Sequence, residues 1–487
     1  MQPQQETYNP AYWRWGGLLL SLCVALYAFT GSPLLLALPV GLAFVLLFLH
    51  NYKLAFWLLL LLIPPSIDLG FLELPVSTSV PDEPIMWLFL LMTLALLAAG
   101  RLKMPVWWLK NPLILILALQ LLWLVVAVVF SQNHLLSLKF LAAKLWFLNA
   151  FVVIPVFIFK EKKDYITAFR LFGVTLTLTA IIILVRHARL KFDFMAIHDA
   201  VGYLYYNRVE YSTVLSMFFA LLCAAVPLTK GRSWQRALLW LVIILFLPAI
   251  YFTFARAAIL AIIFMFVVNV AIRIRLVNWV FPLFFAFIIF LVAYLVHNNK
   301  YYDYRPNFQH TYTHTSLESH LVATFRGEDM SSMERLYRWI ASVRMSREHP
   351  FVGVGPNNFY EHYKPYAVTS FRTYVSRNPE RSTTHNYFLF MLVEQGWPAM
   401  ILYGVLVFAF FWQAQKVWHR FRHRDRFYRN VTMGVAMMFA AGFINNFFSE
   451  LLETHKVGAL FYLSIALLII LDRKSKELEV ADGTQSR

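Results

Sequence analysis

Cysteine is almost absent from this chain. Its 487 residues include two, Cys23 and Cys223, each inside an apolar run, so neither a disulfide framework nor a cysteine metal site is on offer. Both read as packing residues. Charge is also scarce, at 14% of residues against 60% hydrophobic and 17% aromatic, with a mean hydropathy of +0.60. That balance describes an integral membrane protein whose solvent is mostly lipid. Strict apolar–polar alternation is missing as well. Continuous runs such as Leu113 to Phe130, Ala237 to Phe252 and Phe281 to Val296 are unlike barrel strands, and helices satisfy their own backbone hydrogen bonds in lipid.

The expected fold class is therefore all-α, with 12–14 transmembrane helices. The apolar segments lie at 16–30, 33–49, 53–65, 85–100, 112–130, 145–159, 165–186, 210–228, 237–253, 257–272, 277–296, 386–412, 431–447 and 457–471. Several fall short of the ~20 residues that cross a ~30 Å core unaided. The first follows Arg14 and resembles a signal peptide in outline, but it runs through Gly31-Ser32-Pro33 into another apolar span, so it reads as an uncleaved first helix. The net charge of +17 could suggest nucleic acid, yet the basic residues sit in short clusters between spans. Arg101 to Lys110, Lys160 to Lys163, Lys230 to Arg236, Arg273 to Arg275, Lys416 to Arg429 and Arg473 to Lys476 fit cytoplasmic loops under the positive-inside rule. This places both termini in the cytoplasm and argues against a nucleic-acid partner.

The expected organisation is N-terminal spans at 1–296, a large outside loop domain at 297–385, C-terminal spans at 386–473 and a short charged, disordered tail at 474–487. Within the loop, Ser331-Ser332-Met333-Glu334 resembles a capping box. Leu336, Trp339, Ile340 and Val343 then recur at helical spacing, which predicts a helix over about 333–347, stopped by Pro350. Arg335, Arg338, Trp339, Ser342 and Ser346 can share one stripe. Gly353 and Gly355 allow a tight turn whose N–H groups either face a ligand oxygen or simply make the turn. His310, His314 and His320 lie close in sequence, but without a nearby acidic ligand they read as a polar stretch rather than a metal cluster.

Several motifs carry a resemblance. Arg335 through Trp339, His349-Pro350-x-x-Gly353-x-Gly355-x-x-x-Phe359, His385-Asn386 and Glu394-x-Gly396, together with a large outside loop before the last spans, resemble the O-antigen ligase and O-antigen polymerase superfamily. Asn207-Arg208 and Ala255-Arg256-Ala257 look like the family's other arginine positions. The family often has Ser before the second arginine and Pro-Asn near the first, where this chain has Ala255 and Tyr206-Asn207. The resemblance implies a GT-C-like membrane glycosyltransferase. It would move a glycan from an undecaprenyl diphosphate carrier to an acceptor at the periplasmic face of the bacterial inner membrane, with inversion and without metal, nucleotide sugar or other cofactor. It also implies His385, Arg335 and Arg256 as the catalytic set.

Residue chemistry agrees with that expectation. A departing diphosphate carries negative charge, and guanidinium forks bind phosphate oxygens bidentately at any physiological pH. Arg208, Arg338, Lys144 and Glu394 join the candidates as diphosphate- or glycan-binding residues, although an arginine or lysine at a helix end usually snorkels to headgroups. A histidine at the loop-to-membrane junction can take the acceptor's proton. Glu394 is placed either to buttress His385 or as a buried helix partner, while Glu450 and Glu453 could contact the acceptor or orient an arginine. Lipid A core is the expected acceptor, with a growing glycan or an exported protein as alternatives. A transporter of lipid-linked sugar would instead place charges near the midplane and show paired halves.

Overall fold

The structure, a computed structural model, describes residues 10–31, 34–68, 79–229, 231, 233–298, 300, 330–366 and 383–485. Its main helices are α1 (Pro10–Thr30), α2 (Leu34–Leu62), α3 (Asp82–Ala98), α4 (Pro112–Val129), α5 (His134–Leu148), α6 (Lys162–Arg189), α7 (Arg208–Ala225), α8 (Trp234–Tyr251), α9 (Arg256–Arg273), α10 (Val277–Val296), α11 (Met330–Glu348), α12 (Tyr387–Phe421), α13 (Arg426–Phe447) and α14 (His455–Gln485). Among the described residues, ten helices are long and apolar enough to cross a membrane, and two shorter apolar stretches accompany them. The chain is an all-α integral membrane protein. One two-residue ladder, Ile67–Asp68 against Ser79–Val80, is the exception among the described residues.

Where the sequence shows apolar runs the helices follow, because a backbone in lipid has no other donors or acceptors. Three boundaries differ from expectation. The spans expected at 33–49 and 53–65 lie in the single element α2, broken at Asn51 (φ −148°, ψ 79°). Asn51 Oδ1 accepts from Leu54 N at 3.0 Å and so caps the second half. The span expected at 145–159 begins at His134 and continues through a π-helical turn at Asn149–Val153 to Ile158. Polar Ser137, Lys139 and Lys144 hid that first half, so Lys144 lies within a helix rather than before one. The tail expected to be disordered is helical to Gln485, supported by Arg473–Glu477 and Lys476–Asp472 pairs at 2.9 and 2.7 Å.

The core forms around α13 and α14, whose apolar stretches are the most enclosed in the bundle. Phe439 of α13 stacks on Phe410 of α12 at 3.7 Å and on Phe461 of α14 at 4.4 Å. Two register marks make α7 antiparallel to α13. Asn445 Nδ2 donates to Ser216 Oγ at 3.1 Å, and Gly434 lies against Ala224. Phe264 and Phe443, 5.9 Å apart, and Asn269 and Met437, at 3.3 Å, give the same sense for α9. The first residues of α7 and α9 therefore sit level with the loop that follows α13.

Ion pairs mark the other end, with Lys53–Asp164 at 2.5 Å, Lys162–Asp425 at 2.8 Å and Arg420–Asp472 at 2.7 Å. At the site end, buried Lys456 of α14 donates to Pro64 O at 3.0 Å, to Ser66 O at 2.8 Å and to Leu204 O. Phe439→Ala should remove both stacks and leave a cavity where three helices meet, at a cost of about 3–5 kcal/mol. Thermal unfolding in detergent measures it, and an unchanged transition would contradict the packing role.

Candidate functional site

The helix expected over 333–347 is α11. It starts at Met330, so Ser331 and Ser332 fall in its first turn instead of capping it, while Pro350 follows its end as expected. Arg338 is 6% exposed and donates through Nη1 to Thr383 O at 3.2 Å. Its neighbour Trp339 donates through Nε1 to Thr384 O at 3.0 Å. Two adjacent side chains of α11 thus hold the strand that leads into His385. Arg335 lies half-buried on the same helix, one turn earlier.

Asn386 caps α12, accepting from Leu389 N at 3.1 Å and donating through Nδ2 to Phe447 O at 2.9 Å. Its neighbour His385 is held at φ 51°, in the left-handed region that side chains other than glycine rarely occupy. Such strain persists only where surrounding contacts over-determine it, and it concentrates at functional sites. Across from it stands Glu450, whose Oε2 is 3.5 Å from His385 Nδ1, with the two side chains 21% and 30% exposed. Burial alone would raise the Glu450 carboxyl, but His385, Thr383 and Arg338 outweigh it and bring the value down to about 2. Glu450 is therefore ionised at neutral pH.

The glycine motif has a structural use. The N–H groups of Gly353, Val354 and Gly355 donate to His349 O, Val393 O and Glu394 O at 3.1, 2.9 and 3.0 Å. They are committed within the protein. The facing helix α12 breaks at Gly396 (φ 80°), where Trp397 N donates to Pro350 O at 2.9 Å. The fully buried Glu394 completes the joint, accepting from Asn357 N at 2.7 Å and Phe359 N at 3.3 Å. It secures this turn, and Glu450 is the carboxylate that meets His385. Asn358 extends the joint to the start of α5, donating through Nδ2 to Ser131 Oγ and Ser137 Oγ at 2.8 and 3.1 Å.

Arg208 and Arg256 open α7 and α9, at the same end of the bundle as Glu450. The Arg208 guanidinium lies 4.5 Å over the Phe194 ring, which meets Phe254 edge-on at 5.2 Å in the turn before Arg256. Lys144 donates to both oxygens of Glu453 at 2.7 Å and to Tyr462 OH at 3.0 Å. Tyr387 OH donates to the same carboxylate at 2.5 Å. His310, His314 and His320 lie outside the described residues.

Residues 240–404 match the O-antigen ligase family model. The match makes that part of the chain similar to the O-antigen ligase family, which supports the O-antigen ligase and polymerase superfamily and a ligase-like activity in general. No curated protein matches the chain. The matched residues include Arg256, Arg335, Arg338, His385 and Glu394. Lys144, Arg208, Glu450 and Glu453 lie outside the match. Sequence reasoning left Glu450 unassigned to His385 and passed over Tyr387. The available signal was the pair of acids in the short segment after Asn445-Asn446.

A Cβ at Gly396 would stand 1.9 Å from Phe351 O. Gly396→Ala should therefore undock the 349–359 turn and lose about 2 kcal/mol or more, seen as a lower melting temperature and faster proteolysis after α11. Glu450 supplies a pH test. Its folded-state value lies below the usual 4.5, so the stability it adds is fully present above that pH and is lost as the pH falls toward about 2. Acid unfolding of wild type and Glu450→Gln should converge over that window, and parallel curves would remove Glu450 from the ion pair.

Proposed function

We propose that this protein is a membrane glycosyltransferase of the O-antigen ligase type. In this reading it transfers a glycan from undecaprenyl diphosphate to lipid A core oligosaccharide at the periplasmic face of the bacterial inner membrane. The observation that carries the proposal is the opposition of His385 and Glu450 at 3.5 Å, under a helix whose Arg338 and Trp339 grip the two residues before the histidine. That arrangement suits proton removal from a hydroxyl. Glu450 faces Nδ1, which leaves Nε2 to accept the proton, and the ionised carboxylate stabilises the imidazolium that forms.

The acceptor oxygen bonds to the anomeric carbon as the bond from that carbon to the phosphate oxygen breaks. The electron pair leaves with the diphosphate, and the proton goes to His385. Arg335 and Arg256 are the residues assigned to the growing charge, with Arg208 and Arg338 as further diphosphate or glycan contacts. Guanidinium groups serve that role without titrating. Buried Glu394 acts here through the turn it secures, and Lys144 through Glu453. No step calls on a metal or a nucleotide sugar.

The assay that tests this combines purified protein, an undecaprenyl-diphosphate glycan and EDTA with lipid A core, glycan or peptide acceptors. Product on lipid A core supports the full reading. Longer carrier-linked glycan alone moves the assignment to a polymerase, product on peptide alone to a protein O-oligosaccharyltransferase, and donor movement across vesicles without product to a transporter. In the same assay His385→Ala should lower transfer by about 10²-fold or more with membrane insertion intact. Arg335→Lys should lower it by more than about tenfold, because a point charge replaces a bidentate fork. Full activity in either variant would take that residue out of the mechanism.

A further inference from the structure

His385 and Glu450 are 65 positions apart in sequence, and neither lies inside a regular helix. Their approach must be imposed by the segments that carry them. His385 precedes the first turn of α12, and Glu450 sits in the short loop between α13 and α14. Asn386 Nδ2, which donates to Phe447 O at 2.9 Å, ties the head of α12 to the end of α13, and a second polar contact reaches the loop itself. Tyr387, two residues after the histidine, donates to Glu453, three residues after the glutamate, at 2.5 Å. A single carboxylate so placed is a weak tether unless its charge is compensated. Lys144 provides the compensation from a third element, α5, reaching both Glu453 oxygens at 2.7 Å. Tyr462 of α14 accepts a further Lys144 proton at 3.0 Å. The ammonium also lies 5.2 and 5.4 Å from the centres of the Phe140 and Tyr462 rings.

We propose that Lys144 and Glu453 are positioning residues, a clamp that sets Glu450 against His385 by fixing the 448–454 loop to the start of α12. The proposal rests on the transfer chemistry argued above, and it gives Lys144 a purpose other than holding a phosphate. Its action is indirect. Loss of the ammonium leaves the half-buried Glu453 beside Tyr387 without its counter-charge, the loop shifts, and Glu450 leaves His385. Displacements of an ångström at a reacting centre can lower turnover by about 10²-fold without any loss of substrate contact.

A double-mutant cycle on kcat tests it, run on full-length protein with the lipid-linked glycan and the acceptor on which wild type is active. Each variant is first brought to the same monodisperse fraction by size exclusion. Lys144→Met and Glu450→Gln should each lower kcat by about tenfold or more, with donor KM within about twofold of wild type. The double variant should be no slower than the slower single one, because both changes remove the same contact. Multiplicative losses would mean that Lys144 acts independently of Glu450, as a purely structural pair would, and would overturn the proposal. A raised donor KM with unchanged kcat would also overturn it and return Lys144 to phosphate binding. Tyr387→Phe, which removes one hydroxyl and keeps the ring against Tyr403, repeats the cycle should Lys144→Met fail to fold. Absence of transfer by wild type with every acceptor would instead remove the underlying reading.

Discussion

The site depends on how a helix of 35 residues is accommodated. At 1.5 Å per residue α12 is about 50 Å long, against a hydrocarbon core of roughly 30 Å. It breaks at Gly396, and the nine residues before the break form a separate segment that carries His385 at its head. A broken helix exposes carbonyls and N–H groups that lipid cannot satisfy. The 349–359 turn meets this need, with Val354, Gly355 and Trp397 closing backbone bonds across the joint. Because α11 runs directly into that turn, the break also fixes where Arg335 and Arg338 stand relative to the histidine.

The acids described at this end each meet specific donors. Glu394 takes backbone donors, Glu453 takes Lys144 and Tyr387, and Glu450 meets His385. Carboxyl groups taken out of water in an apolar bundle are retained only when their partners are supplied, and the donors to these three come from different segments. The arginines at the heads of α7 and α9 are kept at the same level by the antiparallel packing of both helices on α13. The fold therefore brings one end of many helices to bear on a small region, while the opposite end is closed by lysine and arginine pairs.

Local pattern made part of this legible in the sequence. The apolar recurrence of Leu336, Trp339, Ile340 and Val343, with Pro350 after it, located α11 to within three residues at either end. The glycine pair announced a turn, and the helix starts at Arg208 and Arg256 were visible as polar residues heading apolar runs. What pattern could not carry was long-range pairing. Nothing near Glu450 in sequence points to a histidine at the head of another helix, and the first half of α5 looked like a loop because Ser137, Lys139 and Lys144 interrupt its apolar run. The break at Asn51 escaped for a related reason, since hydropathy sees two apolar runs and is blind to the chain geometry that joins them.

Lys456 bears on how the protein is made. Its ammonium closes onto carbonyls at Pro64, Ser66 and Leu204, all synthesised hundreds or more of residues earlier, and the helix it begins occupies the middle of the bundle. During translation those carbonyls, and the apolar faces around them, wait without their final neighbour until α14 arrives. Assembly therefore finishes at the centre, and the nascent bundle stays open there for most of its synthesis.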